Sequence, residues 1–179
     1  MKLTGCWLLI ACLVPLGIPN AKAVPMRPLA IEELARKADL IVQGTVLNKT
    51  SLRDDAGRIY TKVGVRVADV WKGRLPANTT PDLLTIVQGG GTVGGVREEV
   101  SGEVQYDVGE EFVVFLVFNQ RGEPVTIGMA QGKFHVWRDR QTGEKFAHNP
   151  FHGVPGPAAG GRGKLRVSEL KQQVRQVAP

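Results

Sequence analysis

Cysteine is scarce in this chain of 179: there are two, Cys6 and Cys12, and both stand inside the first apolar segment. Lys2, the apolar run Cys6 to Ile18, and Ala21-Lys22-Ala23 as an A-x-A site have the layout of a secretory signal peptide. Residues 1–23 are therefore expected to be removed, and residues 24–179 then contain no cysteine. That excludes a disulfide, a thiolate nucleophile and a cysteine-ligated zinc from the mature product. A rival reading exists: Leu9-Ile10-Ala11-Cys12 has the form of a lipoprotein box, which would leave Cys12 as a lipid-bearing first residue. Signal-peptide proportions favour the A-x-A site, so the expected location is secreted or periplasmic.

Long hydrophobic runs are missing beyond that segment. No later stretch reaches the roughly 18 apolar residues needed to cross a bilayer, so no membrane span is expected. An excess of one charge is also missing. Lys and Arg total 23 against 17 Asp and Glu, and without Lys2 and Lys22 the balance is 21 to 17, a net of +4. These charges are interspersed, so the surface lacks the basic stripe of a nucleic-acid partner.

Catalytic signatures are absent in the same way. There is no G-x-S-x-G elbow, no H-E-x-x-H helix and no S-x-x-K. The adjacent pairs Glu98-Glu99 and Glu110-Glu111 alternate faces on a strand and cannot act as acid and base together. His148 and His152 are four apart, but Pro150 lies between them in a Gly/Pro-rich stretch, so a helical two-histidine metal site is not expected. Trp71, Trp137, Tyr60 and Phe134 could form an aromatic binding face, but without clustered basic residues core packing is the better reading. No catalytic residue, cofactor or metal is assigned.

Glycine, by contrast, is plentiful, at 22 residues. The segment "QGGGTVGG", Gln88 to Gly95, sets Gly89, Gly91 and Gly94 at the spacing G-x-G-x-x-G. A dinucleotide fingerprint needs a helix directly after the turn, whose N-terminal amides hold the pyrophosphate. The following "VREEVSGEVQYDVGEE" has no amphipathic period, so the glycines are read as a hairpin or long loop. Gly89, Gly90, Gly91, Thr92, Gly94 and Gly95 are the candidate ligand-contact residues, because glycine permits close backbone approach.

The rest of the pattern is strands with a helix at each end. Ile31, Leu34, Ala35 and Ala38 recur at helical spacing within Pro28 to Asp39, with acidic residues early and basic ones late. "LIVQGTVL" from Leu40 is β-branched, with Gly44 suggesting a bulge. Thr61, Val63, Val65 and Val67 alternate with polar or small residues. "EFVVFLVF", Glu111 to Phe118, is apolar without alternation, as in a strand covered on both faces. Residues 147–164 read as a Gly/Pro-rich loop or tether. Within residues 165–179, Ser168 is placed to cap a helix bearing Leu170, Val174 and Val177. The expected fold is mainly β: an OB-like curved barrel of five to seven strands over residues 24–146, with a short N-terminal helix and a C-terminal helix.

"ADLIVQGTVLNKT", "YTKVGVRVADVWKG", the glycine loop, "VGEEFVVFLVF" and "GMAQGKFHVW" resemble a group of uncharacterised secreted bacterial domains. Their layout is similar to the OB-fold barrel of the netrin and tissue metalloprotease inhibitor class. The resemblance covers Ala38 to about Trp137 and implies a five-stranded barrel that binds a protein or glycan in the cell envelope. The chain departs from those inhibitors at one point: they chelate the protease zinc through a mature N-terminal cysteine, and Val24-Pro25 cannot do so. The functional expectation is an exported, non-enzymatic binding module. The alternatives are a regulator of a secreted protease and an envelope hydrolase using His135, Asp107 and Glu110.

Overall fold

The computed structural model describes residues 27–77, 80–152 and 165–177. The expected signal peptide, with Cys12, and most of the expected tether lie outside the described residues. The chain is mainly β with a helix at each end of the described part, as the patterning implies. In order it runs α1 (Ile31–Lys37), β1 (Leu40–Arg53), β2 (Ile59–Lys72), β3 (Leu83–Gly89), β4 (Gly91–Val93), β5 (Val96–Glu98), β6 (Glu111–Phe118) and β7 (Pro124–Thr126). A 3-10 turn (Met129–Gly132), β8 (Lys133–Arg138), β9 (Lys145–His148), β10 (Leu165–Arg166) and α2 (Val167–Val177) follow.

Every paired strand is antiparallel, in the order β10-β9-β8-β6-β1-β2-β3, with β7 continuing along the β8 side of β6. The hydrogen-bonded ladder does not return on itself, so the sheet is not closed into a barrel. β7 lies alongside β3 without pairing to it. Curvature comes from β1 and β2, whose register slips at three places, one between Gln43 and Gly44. A Cβ on Gly44 would stand 2.7 Å from the Arg66 carbonyl oxygen, so only glycine lets the two long strands cross so closely there.

The sheet separates two cores. On one face Ile41, Val113, Phe115, Phe134 and Val136 pack under Leu34 and Ala35 of α1 and Leu170 and Val174 of α2. On the other, Val42, Val63, Val65, Leu84, Ile86, Phe112, Val114 and Leu116 close over Val104 and Tyr106. β6 feeds both, which explains its unbroken apolar run: Phe112 to Leu116 are all 0% exposed.

α1 is only seven residues long and depends on its surroundings. Lys37 pairs with Glu33 at 2.7 Å, and the Lys72 ammonium donates to the carbonyls of Ala35 (2.8 Å) and Arg36 (3.1 Å), satisfying orphan acceptors at its end. α2 starts at Val167, so Ser168 lies inside its first turn instead of capping it. Glu169, also in the first turn, reaches back and accepts from the Arg166 backbone N–H at 3.2 Å, as the acidic member of a capping box does. Ala147 and His148, expected in the loop after residue 146, complete β9, where Ala147 pairs with Val136 and with Leu165 of β10.

Phe115 is fully buried with its ring 5.7 Å from that of Phe134. Phe115→Ala is expected to cost about 3–5 kcal/mol, read as a lower urea midpoint at unchanged slope.

Candidate functional site

β3 delivers the glycine segment into a tight two-stranded hairpin, β4–β5, whose two-residue turn is Gly94-Gly95. Both turn residues have positive φ (58° and 78°), as a hairpin turn matched to strand twist requires. Nothing lies within 4 Å of a Cβ built on either. Gly90 and Gly91 are different. A Cβ on Gly90 would sit 2.5 Å from the Glu98 carbonyl oxygen, and one on Gly91 would strike Ser51 and come 2.5 Å from Thr61 Oγ1. At the foot of the hairpin, Gly90 lets backbone pack against backbone and Gly91 lets the Ser51 and Thr61 side chains approach. No helix follows β3 before the 3-10 turn at Met129, so the spacing G-x-G-x-x-G meets no helix N-terminus that could hold a pyrophosphate.

The hairpin folds over the ends of β1 and β2 and leaves a cleft of about 680 Å³ between itself and the segment Val100 to Gln105. Of the residues expected to contact a ligand, Gly89, Gly91 and Thr92 line it, Gly90 is buried at its foot, and Gly94 and Gly95 stand away at the hairpin tip. The floor is a chain of hydroxyls. Thr61 Oγ1 donates to the Gly90 carbonyl (2.7 Å), which leaves Ser51 Oγ to donate to Thr61 (2.9 Å) and to accept from the Thr92 backbone N–H (3.3 Å). Gln88, 7% exposed, also lines the cleft, and its Oε1 has no hydrogen-bond partner among the described residues. An unpaired amide oxygen in a buried position is costly.

Charged groups surround this floor. Glu98 Oε2 accepts from the Ile59 backbone N–H at 2.9 Å, Arg97 is ion-paired with Glu99, and Lys49 donates to the Tyr106 carbonyl at 2.5 Å. Glu103 lies beside Gly89. The wall is polar, built from hydroxyls, amides and carboxylates, and no aromatic ring lines it.

A second polar cluster sits where β6 meets β8. Glu110, with its side chain 8% exposed, accepts from Lys133 Nζ (2.5 Å), His135 Nδ1 (2.9 Å) and the Asp107 backbone N–H (3.1 Å). Burial opposes its ionisation, but these donors outweigh it and hold the carboxyl below its ordinary value of 4.5. Burial pulls the Lys133 ammonium down, against the pull of Glu110. Lys133 also donates to the Gln105 carbonyl (2.5 Å) and lies 4.9 Å from the centre of the Tyr106 ring. Sequence spacing gave no warning of this pair, because Glu110 and Lys133 are 23 residues apart and meet only through the β6–β8 register.

The structure thus joins His135 and Glu110 and brings in Asp107 through its backbone only. It separates His148 from His152. His152 turns inward, stacking on Phe134 with ring centres 5.0 Å apart and donating from Nε2 to the Gln131 carbonyl at 3.2 Å, while burial lowers its pKa. The four aromatic residues form no common face: Trp71 and Phe134 are buried, Tyr60 is half-buried on β2, and Trp137 stacks with Phe146. Among the described residues no group of three or more His, Cys, Asp or Glu gathers as a metal site, and no helix is long and apolar enough to cross a membrane.

Two expectations follow. Gly91→Ala, which meets Ser51 and Thr61, should lower the urea midpoint clearly more than Gly94→Ala at the open tip. Acid should weaken the fold in two stages. Folding favours neutral His152, whose stabilisation is complete above pH 6.5 and is lost as pH falls through the folded value. Folding favours ionised Glu110, whose stabilisation is present above pH 4.5 and lost on further acidification. Urea midpoints across a pH series should show both, and His152→Phe should flatten the first.

No protein-family model matches the chain, and no curated protein sequence matches it.

Proposed function

We infer that the chain is an exported, non-enzymatic binding module that recognises a protein or glycan through the cleft beside the β4–β5 hairpin. The carrier of this reading is the cleft itself: about 680 Å³, polar, and lined by Gly89, Gly91 and Thr92 together with the buried Gln88. Hydroxyls, amides and carboxylates on one wall suit a partner rich in hydrogen-bond donors. The sheet is read as an OB-like barrel whose closing seam is the approach of β7 to β3, and the hairpin corresponds to a loop at the barrel mouth, where such folds take ligands. The resemblance to the netrin and metalloprotease inhibitor layout supports the same reading and keeps protease regulation as one form of it.

The hydrolase alternative gains one contact, the 2.9 Å hydrogen bond between His135 and Glu110. A carboxylate on Nδ1 is how a general base is oriented. Among the described residues, however, no serine, threonine or cysteine is hydrogen-bonded to His135, so this reading has no activated side-chain nucleophile.

Immobilised protein is expected to retain a protein or glycan from the native secreted and envelope fraction, identified by mass spectrometry. Thr92 is exposed on the cleft wall, so Thr92→Trp fills the mouth without disturbing Gly90 or Gly91 and should abolish capture. Equal capture by both forms, or none above background, would count against the module.

A further inference from the structure

The β8–β9 hairpin aligns two histidines that the linear sequence keeps 13 positions apart. His135 and His148 are direct register partners on neighbouring antiparallel strands, so their side chains leave the same face of the sheet. Directly opposed residues have Cβ atoms about 4.5–5.5 Å apart, a spacing that lets two imidazoles reach one ion at the 2.0–2.1 Å typical of zinc–nitrogen bonds. His135 is exposed and His148 half-buried. No hydrogen bond to another described residue ties down the His148 ring.

The environment of His135 selects its tautomer. Glu110 is a pure acceptor when ionised, and its Oε1 lies 2.9 Å from Nδ1, so the proton of the neutral ring sits on Nδ1 and the lone pair on Nε2. Glu110 is itself fixed by Lys133 and the Asp107 N–H. A histidine that donates its Nδ1 proton to an anchored carboxylate while offering Nε2 outward is the arrangement that orients a metal ligand. The opposite strand is equally well held. Asn149, adjacent to His148 and 1% exposed, directs its Nδ2 at the carbonyls of Ala130 (2.9 Å), Gln131 (2.9 Å) and Lys133 (2.6 Å). The β8–β9 turn is locked by Asp139, whose Oδ1 accepts from the N–H groups of Gln141 (2.9 Å) and Thr142 (3.0 Å).

We propose that His135 and His148 form a surface two-histidine site for a divalent transition-metal ion, with Glu110 as the carboxylate that orients His135. Imidazole ligation suits Cu²⁺, Ni²⁺ and Zn²⁺ and not Mg²⁺ or Ca²⁺. Two protein ligands leave the remaining coordination positions open to water or to a donor from another molecule. The site is separate from the hairpin cleft and does not rest on the binding-module reading.

Trp137 provides a direct readout, because its ring lies 6.5 Å from that of His135 with the planes 13° apart. Titration of the purified protein with Cu²⁺ should quench Trp137 fluorescence saturably, and calorimetry with Ni²⁺ and Zn²⁺ should give one binding event per chain. His135→Ala and His148→Ala should each abolish that event while far-UV circular dichroism stays unchanged, and His152→Ala should keep it. Glu110→Gln should weaken binding by about 10- to 100-fold, as loss of an orienting carboxylate does. Trp137→Phe should remove the optical signal and leave the Ni²⁺ affinity intact. Absence of saturable binding, or binding that survives the double change of His135 and His148, overturns the proposal.

Discussion

The fold hangs on one strand. β6 presents Val113 and Phe115 to the helix-covered core and Phe112, Val114 and Leu116 to the opposite one. A strand buried on both faces cannot slip by one residue without exchanging the contents of two cores, so the register of β6 with β1 and β8 is doubly specified. Much else is placed by that register. It sets Glu110 at the entrance to β6 beside Lys133 and His135, and it carries β8, whose partner β9 then aligns His148. A buried lysine-carboxylate pair adds little net stability by itself, but removing one member leaves a charge without its partner. Position, more than energy, is what this pair contributes.

The legible part of the chain was the part governed by local period. The alternation of Thr61, Val63, Val65 and Val67, the unbroken Phe112 to Leu116 run and the spacing of Leu34 with Ala35 each foretold an element and its buried face. The glycine segment was legible as a hairpin because nothing after it could form a helix. Its residues then proved to serve two needs: close approach of backbone at Gly90 and of the Ser51 and Thr61 side chains at Gly91, and turn geometry at Gly94 and Gly95.

What was not legible depends on contacts distant in sequence. β9 escaped because "KFAH" is four residues long and precedes a Gly/Pro-rich stretch, so it has no period of its own and exists through pairing with β8 and β10. Barrel closure was read from curvature, yet β7 holds only three residues and approaches β3 without a ladder. The position of the histidines was hidden for a related reason: strand pairing sets His148 opposite His135, 13 residues away, and stacking draws His152 onto Phe134.

The open tip of the β4–β5 hairpin has a consequence for how the cleft can vary. Gly94 and Gly95 have open space where a side chain would stand, and the strands they join are short, with none of their residues buried, while the anchoring contacts are made below by Gly90, Gly91 and the Ser51–Thr61 hydroxyls. Lengthening or shortening such a hairpin by residue pairs preserves which side chains face the cleft and which face water. The height of the cleft wall is thereby uncoupled from the two cores, and the depth of the cleft becomes a free variable on an otherwise fixed scaffold.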